Sequence, residues 1–265
     1  MENVAQNEIK PTTPYWQSTG QGDDLVLVHG WGMNGAVWHQ AVEQLSQHFR
    51  VHVVDLPGFG HSHQLHFETM EELAQQVLHH APDNAIWLGW SLGGLVATHI
   101  AINHPERITK LITVASSPKF SAEKRWRGIQ PQVLSAFTEQ LVDDFRVTIE
   151  RFMALQAMGS PSARQDVKTL KQAVLSRPEP NPQSLLTGLQ LLADVDYRQA
   201  LPDVSVPTLR LYGRLDGLVP AKVATDVDTL MPASESYMFG ASSHAPFMTE
   251  FNEFCQQVIR FSADK

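Results

Sequence analysis

The pentapeptide Gly89-Trp90-Ser91-Leu92-Gly93 constrains this chain more than any other stretch. It follows the β-forming run Ala85-Ile86-Trp87-Leu88 and precedes Gly94-Leu95-Val96-Ala97, which reads as the start of a helix. Small residues on both sides of a serine permit a sharp strand-to-helix turn that lifts the hydroxyl clear of the backbone. A glycine-rich helix start merely capped by serine is the bland alternative. From Ala85 to Ile102 there is no Asp, Glu, Lys or Arg, a stretch roughly as long as a membrane span. Glycines at its centre, with strand formers before them and helix formers after, fit a buried strand turning into a buried helix better than a bilayer segment.

Such a strand needs neighbours. Apolar runs recur at Leu25-Val28, Val51-Val54, Leu111-Ala115, Thr208-Tyr212 and Ser236-Phe239, several of them apolar on both faces. That is the pattern of a parallel sheet covered on both sides. Helical stretches lie between the runs at Met70-His80, Leu92-Asn103 and Val223-Met231, and Phe247-Phe261 closes the chain. The expected class is therefore α/β, a mostly parallel central sheet flanked by helices. Apolar residues at 43% and charged residues at 18% suffice for one large core.

The alternation stops between Pro118 and about Pro207. Leu134, Phe137, Leu141 and Phe145, then Phe152, Leu155 and Met158, recur at helical spacing, with no convincing strand. Arg177-Pro178-Glu179-Pro180-Asn181-Pro182 breaks the helical run, because proline cannot continue a helix and disfavours it at the preceding residue. The expected organisation is a core of residues 1–117 and 208–265 with a helical lid over 118–207, set above the strand ends where α/β sheets bind ligands.

A serine hydroxyl needs a base, and the base needs an orienting group. Of twelve histidines, only His244 lies beyond the last predicted strand and before the last helix, in Ser242-Ser243-His244-Ala245-Pro246. Asp216 lies on the turn just past the Thr208-Tyr212 strand, whereas Asp194, Asp196 and Asp203, the weaker candidates, precede it. The candidate catalytic set is Ser91, Asp216 and His244. An oxyanion would meet the backbone N–H of Leu92 and a second N–H from His29-Gly30-Trp31-Gly32, for which Trp31 is favoured. His29 is read as ordering that loop, and Asp55-Leu56-Pro57-Gly58-Phe59-Gly60 as structural support. No metal-binding or dinucleotide motif is present in the sequence, and no cofactor is expected.

Net charge is −8, which disfavours nucleic-acid binding. The charge is uneven: Lys119 to Gln190 holds 10 Lys and Arg against 7 Asp and Glu, and the rest holds 10 against 21. The lid is a basic patch on an acidic protein. No secretory signal opens the sequence, so a cytoplasmic protein, not membrane-bound and monomeric, is expected. Cys255, the single cysteine, lies in an amphipathic stretch and reads as a packed, inert thiol.

Together these residues resemble the α/β-hydrolase superfamily. The flanking strings narrow the match: Val28-His29-Gly30-Trp31-Gly32-Met33-Asn34, Val54-Asp55-Leu56-Pro57-Gly58-Phe59-Gly60, Ile86 to Gly94, Val114-Ala115-Ser116-Ser117-Pro118, Arg151 to Gln156, and Tyr212 to Pro220. From about Tyr15 to Phe261 the chain looks like the pimeloyl-[acyl-carrier protein] methyl ester esterase family of biotin synthesis. That resemblance implies hydrolysis of a terminal methyl ester on a pimeloyl chain held by its acyl carrier protein. It further implies that Phe152, Met153, Ala154, Leu155 and Gln156, with Trp31, Ser91, Leu92 and His244, line the acyl channel. It places carrier docking on Arg151 and Arg164, with Lys168 where the family can have arginine. Val147 replaces another basic residue of the pattern, and the adjacent Arg146 is taken with these three as a carrier-docking residue. A positive lid rim suits an acidic carrier. Two other readings use the same fold: a general carboxylesterase or lipase for small esters, and a ligand receptor that binds without turnover.

Overall fold

The computed structural model describes residues 12–263. A seven-stranded sheet runs through it: β1 (Trp16–Thr19), β2 (Asp24–Val28), β3 (Arg50–Val54), β4 (Ala85–Trp90), β5 (Ile108–Val114), β6 (Thr208–Gly213) and β7 (Glu235–Phe239). The spatial order is β1-β3-β2-β4-β5-β6-β7. β1 pairs antiparallel with β3, and every other pairing is parallel. The central strand β4 is buried along its whole length, as a continuous apolar run requires when helices cover both faces, and β6 is equally buried, its Arg210 matched by Asp228 and the Ala224 carbonyl.

Helices α1 (His39–Leu45), α2 (Met70–Leu78) and α3 (Leu92–Asn103) connect the first five strands. α3 is apolar nearly all round and almost entirely buried, so it is a core helix, whereas α2 buries one face through Leu73, Ala74 and Val77. The uncharged segment Ala85–Ile102 is thus a strand up to Trp90 and a helix from Leu92. No helix among the described residues is long and apolar enough to cross a membrane.

Between β5 and β6 come four helices, α4 (Pro131–Asp143), α5 (Phe145–Ala157), α6 (Ala163–Leu175) and α7 (Pro182–Asp194). Leu134, Phe137 and Leu141 form the buried stripe of α4. Asp144 caps α5 by accepting from the N–H groups of Arg146 and Val147, and Asn181 caps α7 in the same way. Pro182 occupies the first turn of α7, where its missing N–H costs nothing. Ahead of α4 there are two isolated bridges, parallel between Ser121 and Ile129 and antiparallel between Glu123 and Trp126, and neither belongs to a strand.

After β6 come α8 (Lys222–Leu230), then β7, α9 (Pro246–Thr249) and α10 (Phe251–Ala263). The single C-terminal helix expected from Phe247 to Phe261 is therefore two. Glu250 sits at the break, and its Oε2 accepts from the Ala241 N–H and the Ser242 hydroxyl, tying the helix junction back to the loop before His244. Cys255 is buried on α10, and burial pushes its thiol up to about 11, which keeps it protonated.

Candidate active site

Ser91 follows β4 and precedes α3 with φ 55° and ψ −117°, a conformation rare for a residue with a side chain. The strain is held from three sides. Ser91 N–H donates to Val114 O at 2.9 Å, and Ser91 O accepts from Leu95 N–H at 3.1 Å and from the Ser116 hydroxyl at 2.9 Å. The glycines follow from contact rather than flexibility. A Cβ on Gly89 would run into the Gly93 carbonyl, and one on Gly93 would lie 2.6 Å from His29 O and closer still to Val28 O.

Asp216 stands on the turn after β6 and His244 on the loop between β7 and α9, both at the carboxyl ends of the strands, as Ser91 is. His244 Nδ1 lies 2.7 Å from Asp216 Oδ2. Asp216 Oδ1 accepts from the N–H groups of Leu218 (2.8 Å) and Val219 (3.0 Å), so the carboxylate is held on both oxygens. The carboxylate can only accept, so Nδ1 carries a proton toward it, and the tautomer that can act as a base has its lone pair on Nε2. Nε2 is buried with no hydrogen-bond partner among the described residues. Asp194, Asp196 and Asp203 are elsewhere; Asp196, for instance, pairs with Arg198 and Lys119.

The Trp31 loop lies against the serine: a Cβ on Gly30 would be 3.2 Å from Ser91 Cβ. Leu92 is the first residue of α3, where N–H groups have no intrahelical acceptor and the helix dipole favours negative charge. His29 orders this loop. Its Nε2 accepts from Leu56 N–H at 3.0 Å, so Nδ1 carries the proton and donates to Gly30 O at 2.8 Å. Burial pulls this imidazole down to about 4 against the opposing pull of Asp55, keeping it neutral. Asp55 itself is buried, bound by Gly35 N–H, His61 N–H and the Arg177 guanidinium. The Asp55 segment thus joins core to insertion as well as shaping a turn.

The four helices between β5 and β6 roof the site. Trp31 packs edge-on against Phe152 with centroids 4.8 Å apart and donates Nε1–H to Leu185 O on α7. Phe152, Met153 and Gln156 are buried, Leu155 is half-buried and Ala154 is exposed. The expected five-residue lining therefore departs from the structure at Ala154, because successive helical residues point about 100° apart and cannot all face one side. The Gln156 side chain is buried with both amide atoms unpartnered among the described residues. Ser91 is 1% exposed, Asp216 5% and His244 0%, so the roof is closed.

On the outer surface, Arg164 and Lys168 are exposed one turn apart on α6, and the Arg151 guanidinium donates to Gln140 Oε1 at 2.7 Å. None of the three forms an ion pair among the described residues. Arg146 differs: it pairs with Glu179 at 2.7 Å, so its charge is already matched. Trp90, Ser116 and Ser243 carry no signal of their own in the sequence, because their contacts around Ser91 and His244 depend on residues 25 to 154 positions away.

A strained serine turn beside an Asp–His pair, on a mostly parallel sheet with a helical roof, is the arrangement of the α/β hydrolases. Residues 24–251 match the family model described as alpha/beta hydrolase fold. Among solved structures, an esterase from Exiguobacterium antarcticum superposes with TM-score 0.83 at 23% identity, covering 95% of this chain and 96% of that one. The enol-lactonase from Burkholderia xenovorans LB400 gives 0.83 at 19% identity, covering 95% and 96%. At such identities the likeness is one of fold. Curated proteins are much nearer in sequence. The pimeloyl-[acyl-carrier protein] methyl ester esterase of Vibrio cholerae is 71% identical over 248 residues, 94% of this chain and 97% of that protein. Its namesake from Vibrio vulnificus strain YJ016 is 69% identical over 251 residues, 95% and 98%. The chain belongs to this esterase family of the α/β hydrolases.

Proposed function

We propose that this protein hydrolyses the methyl ester of a pimeloyl chain carried on acyl carrier protein, releasing methanol and leaving the free carboxylate on the carrier, in biotin synthesis. The observation that carries the reading is the extent of the likeness. Identity near 70% runs over about 95% of the chain, and so takes in the four helices that roof the site. Residues 118–207 then act as a lid on a core of 1–117 and 208–265.

In the proposed reaction Ser91 Oγ attacks the ester carbonyl while His244 Nε2 takes its proton, and Asp216 stabilises the resulting imidazolium. The negative oxygen meets the N–H groups of Leu92 and Trp31. His244 returns the proton to the departing methoxide oxygen, and methanol leaves an acyl-Ser91 ester. Water attacks that ester by the same route, restoring Ser91 and releasing the carboxylic acid, which ionises. Every proton taken by His244 is given back, so no cofactor is required. Phe152, Met153 and Leu155, with Trp31, offer apolar surface to the methylene chain. Arg151, Arg164 and Lys168 offer unpaired positive charge to an acidic carrier.

The test is to present pimeloyl methyl ester on acyl carrier protein and follow methanol and free carboxylate. Hydrolysis lost in Ser91→Ala supports the reading. A wild-type enzyme that turns over p-nitrophenyl esters but leaves the carrier-bound ester intact would favour a general esterase instead.

A further inference from the structure

His244 lies on a loop, yet its main chain is held from two directions. From below, Trp90 directs its indole Nε1–H to the His244 carbonyl at 2.7 Å. Trp90 is fully buried, and its ring meets Phe247 edge-on at 4.9 Å and Trp38 at 6.3 Å, so packing fixes the indole. From above, the His244 N–H donates to Gln156 O at 3.0 Å. The neighbouring Ser243 hydroxyl donates to Met158 O at 2.9 Å, with Leu215 O, on the Asp216 turn, at 3.4 Å. Gln156 and Met158 lie at the C-terminal end of α5, where helix carbonyls lack intrahelical donors. The last turn of that helix is therefore bonded to the loop that carries the base.

The Asp216 bond can set the tautomer and tilt of the ring, but one bond at Nδ1 leaves the ring free to swing about it. General-base catalysis needs Nε2 within reach of the serine and then of the leaving oxygen. Fixing both sides of the His244 peptide supplies the missing restraint. We infer that Trp90 and Ser243 are positioning residues for His244, tying its placement to the serine turn and to the seating of α5. This rests on the Ser91–His244–Asp216 assignment proposed above. A base held in this way is in register only when the α5 end is docked on it.

The experiment replaces Trp90 with Phe and, separately, with 3-benzothienylalanine, an isostere whose sulfur takes the place of the N–H. Ser243→Ala probes the α5 side. Steady-state kinetics on a p-nitrophenyl ester are measured below each variant's melting temperature, with wild type and Ser91→Ala alongside. A misplacement near 1 Å costs up to about a hundredfold in rate. The expected result is a fall in kcat of about tenfold to a hundredfold for all three variants, with KM within about twofold. A kcat within about twofold of wild type in the benzothienyl variant and in Ser243→Ala would overturn the inference, as would a rise in KM at unchanged kcat. If Trp90→Phe does not fold, the isostere and Ser243→Ala decide. Activity surviving in Ser91→Ala would instead overturn the underlying assignment.

Discussion

Replacing Asp216 with Asn tests the acid's role with little change in shape. Oδ1 accepts two backbone N–H groups, at 2.8 and 3.0 Å, while Oδ2 faces His244 Nδ1 at 2.7 Å. An asparagine must keep its carbonyl oxygen toward Leu218 and Val219, since the amide NH2 cannot accept from them. The NH2 then faces His244 Nδ1, and the imidazole moves its proton to Nε2 to avoid donor against donor. A ring protonated at Nε2 cannot take a proton from Ser91. In a serine protease triad the equivalent change costs about 10⁴ in kcat, or about 5 kcal/mol of transition-state stabilisation. The same loss is expected here, with the melting temperature little changed because both backbone donors keep their acceptor. Steady-state kinetics on a p-nitrophenyl ester, with thermal unfolding in parallel, measure both quantities. A folded Asp216→Asn enzyme within tenfold of wild-type kcat would refute the assignment of Asp216 as the orienting acid.

Gly93→Ala should lose about 1–3 kcal/mol of stability, seen as a lower urea midpoint, and at least about tenfold in kcat. The added methyl meets the Val28 and His29 carbonyls, which belong to backbone that cannot yield without moving the Trp31 loop. His29 titrates near 4 when folded, against a normal 6.5, so the unfolded chain takes up the proton first as pH falls. Its contribution is complete above pH 6.5 and is lost between 6.5 and 4, by up to about 3 kcal/mol. Urea titrations across this window should therefore show a shallower pH slope for His29→Asn than for wild type, and equal slopes would refute the argument. Charge reversal at Arg151, Arg164 and Lys168 should lower kcat/KM for the carrier-bound ester by about tenfold or more at low salt while sparing a small ester. Replacing Arg146 and Glu179 together by Ala should change neither, because the pair they form carries no net charge.

The serine turn was legible because its requirements are local: a buried strand, small residues and a helix start within ten positions. β2, β3, β4, β5 and β6 were legible as short runs rich in valine, isoleucine and leucine. β1 was not, because Trp16-Gln17-Ser18-Thr19 is short and largely exposed, and it pairs with β3 as an antiparallel edge. The C-terminal helix break was hidden for a different reason: Glu250 is helix-compatible by itself, and only its bonds to Ala241 and Ser242 mark the junction. Order along the chain pointed to Asp216 and His244 as partners, and the structure places them in contact. Ala154 shows the limit of carrying over a contiguous stretch, since helical geometry turns it outward. The Trp90 and Ser243 bonds to distant carbonyls leave no pattern in sequence, because any strand or loop accommodates a tryptophan or a serine there.

Ester hydrolysis by Ser91 is tested on the carrier-bound substrate itself. Acyl carrier protein bearing pimeloyl methyl ester is incubated with wild type and with Ser91→Ala, and the intact carrier is weighed by mass spectrometry. Wild type is expected to convert the ester to the free acid with one methanol per turnover, leaving the thioester to the carrier intact, and Ser91→Ala is not. A carrier mass unchanged by wild type, or cleavage at the thioester rather than at the methyl ester, would contradict it.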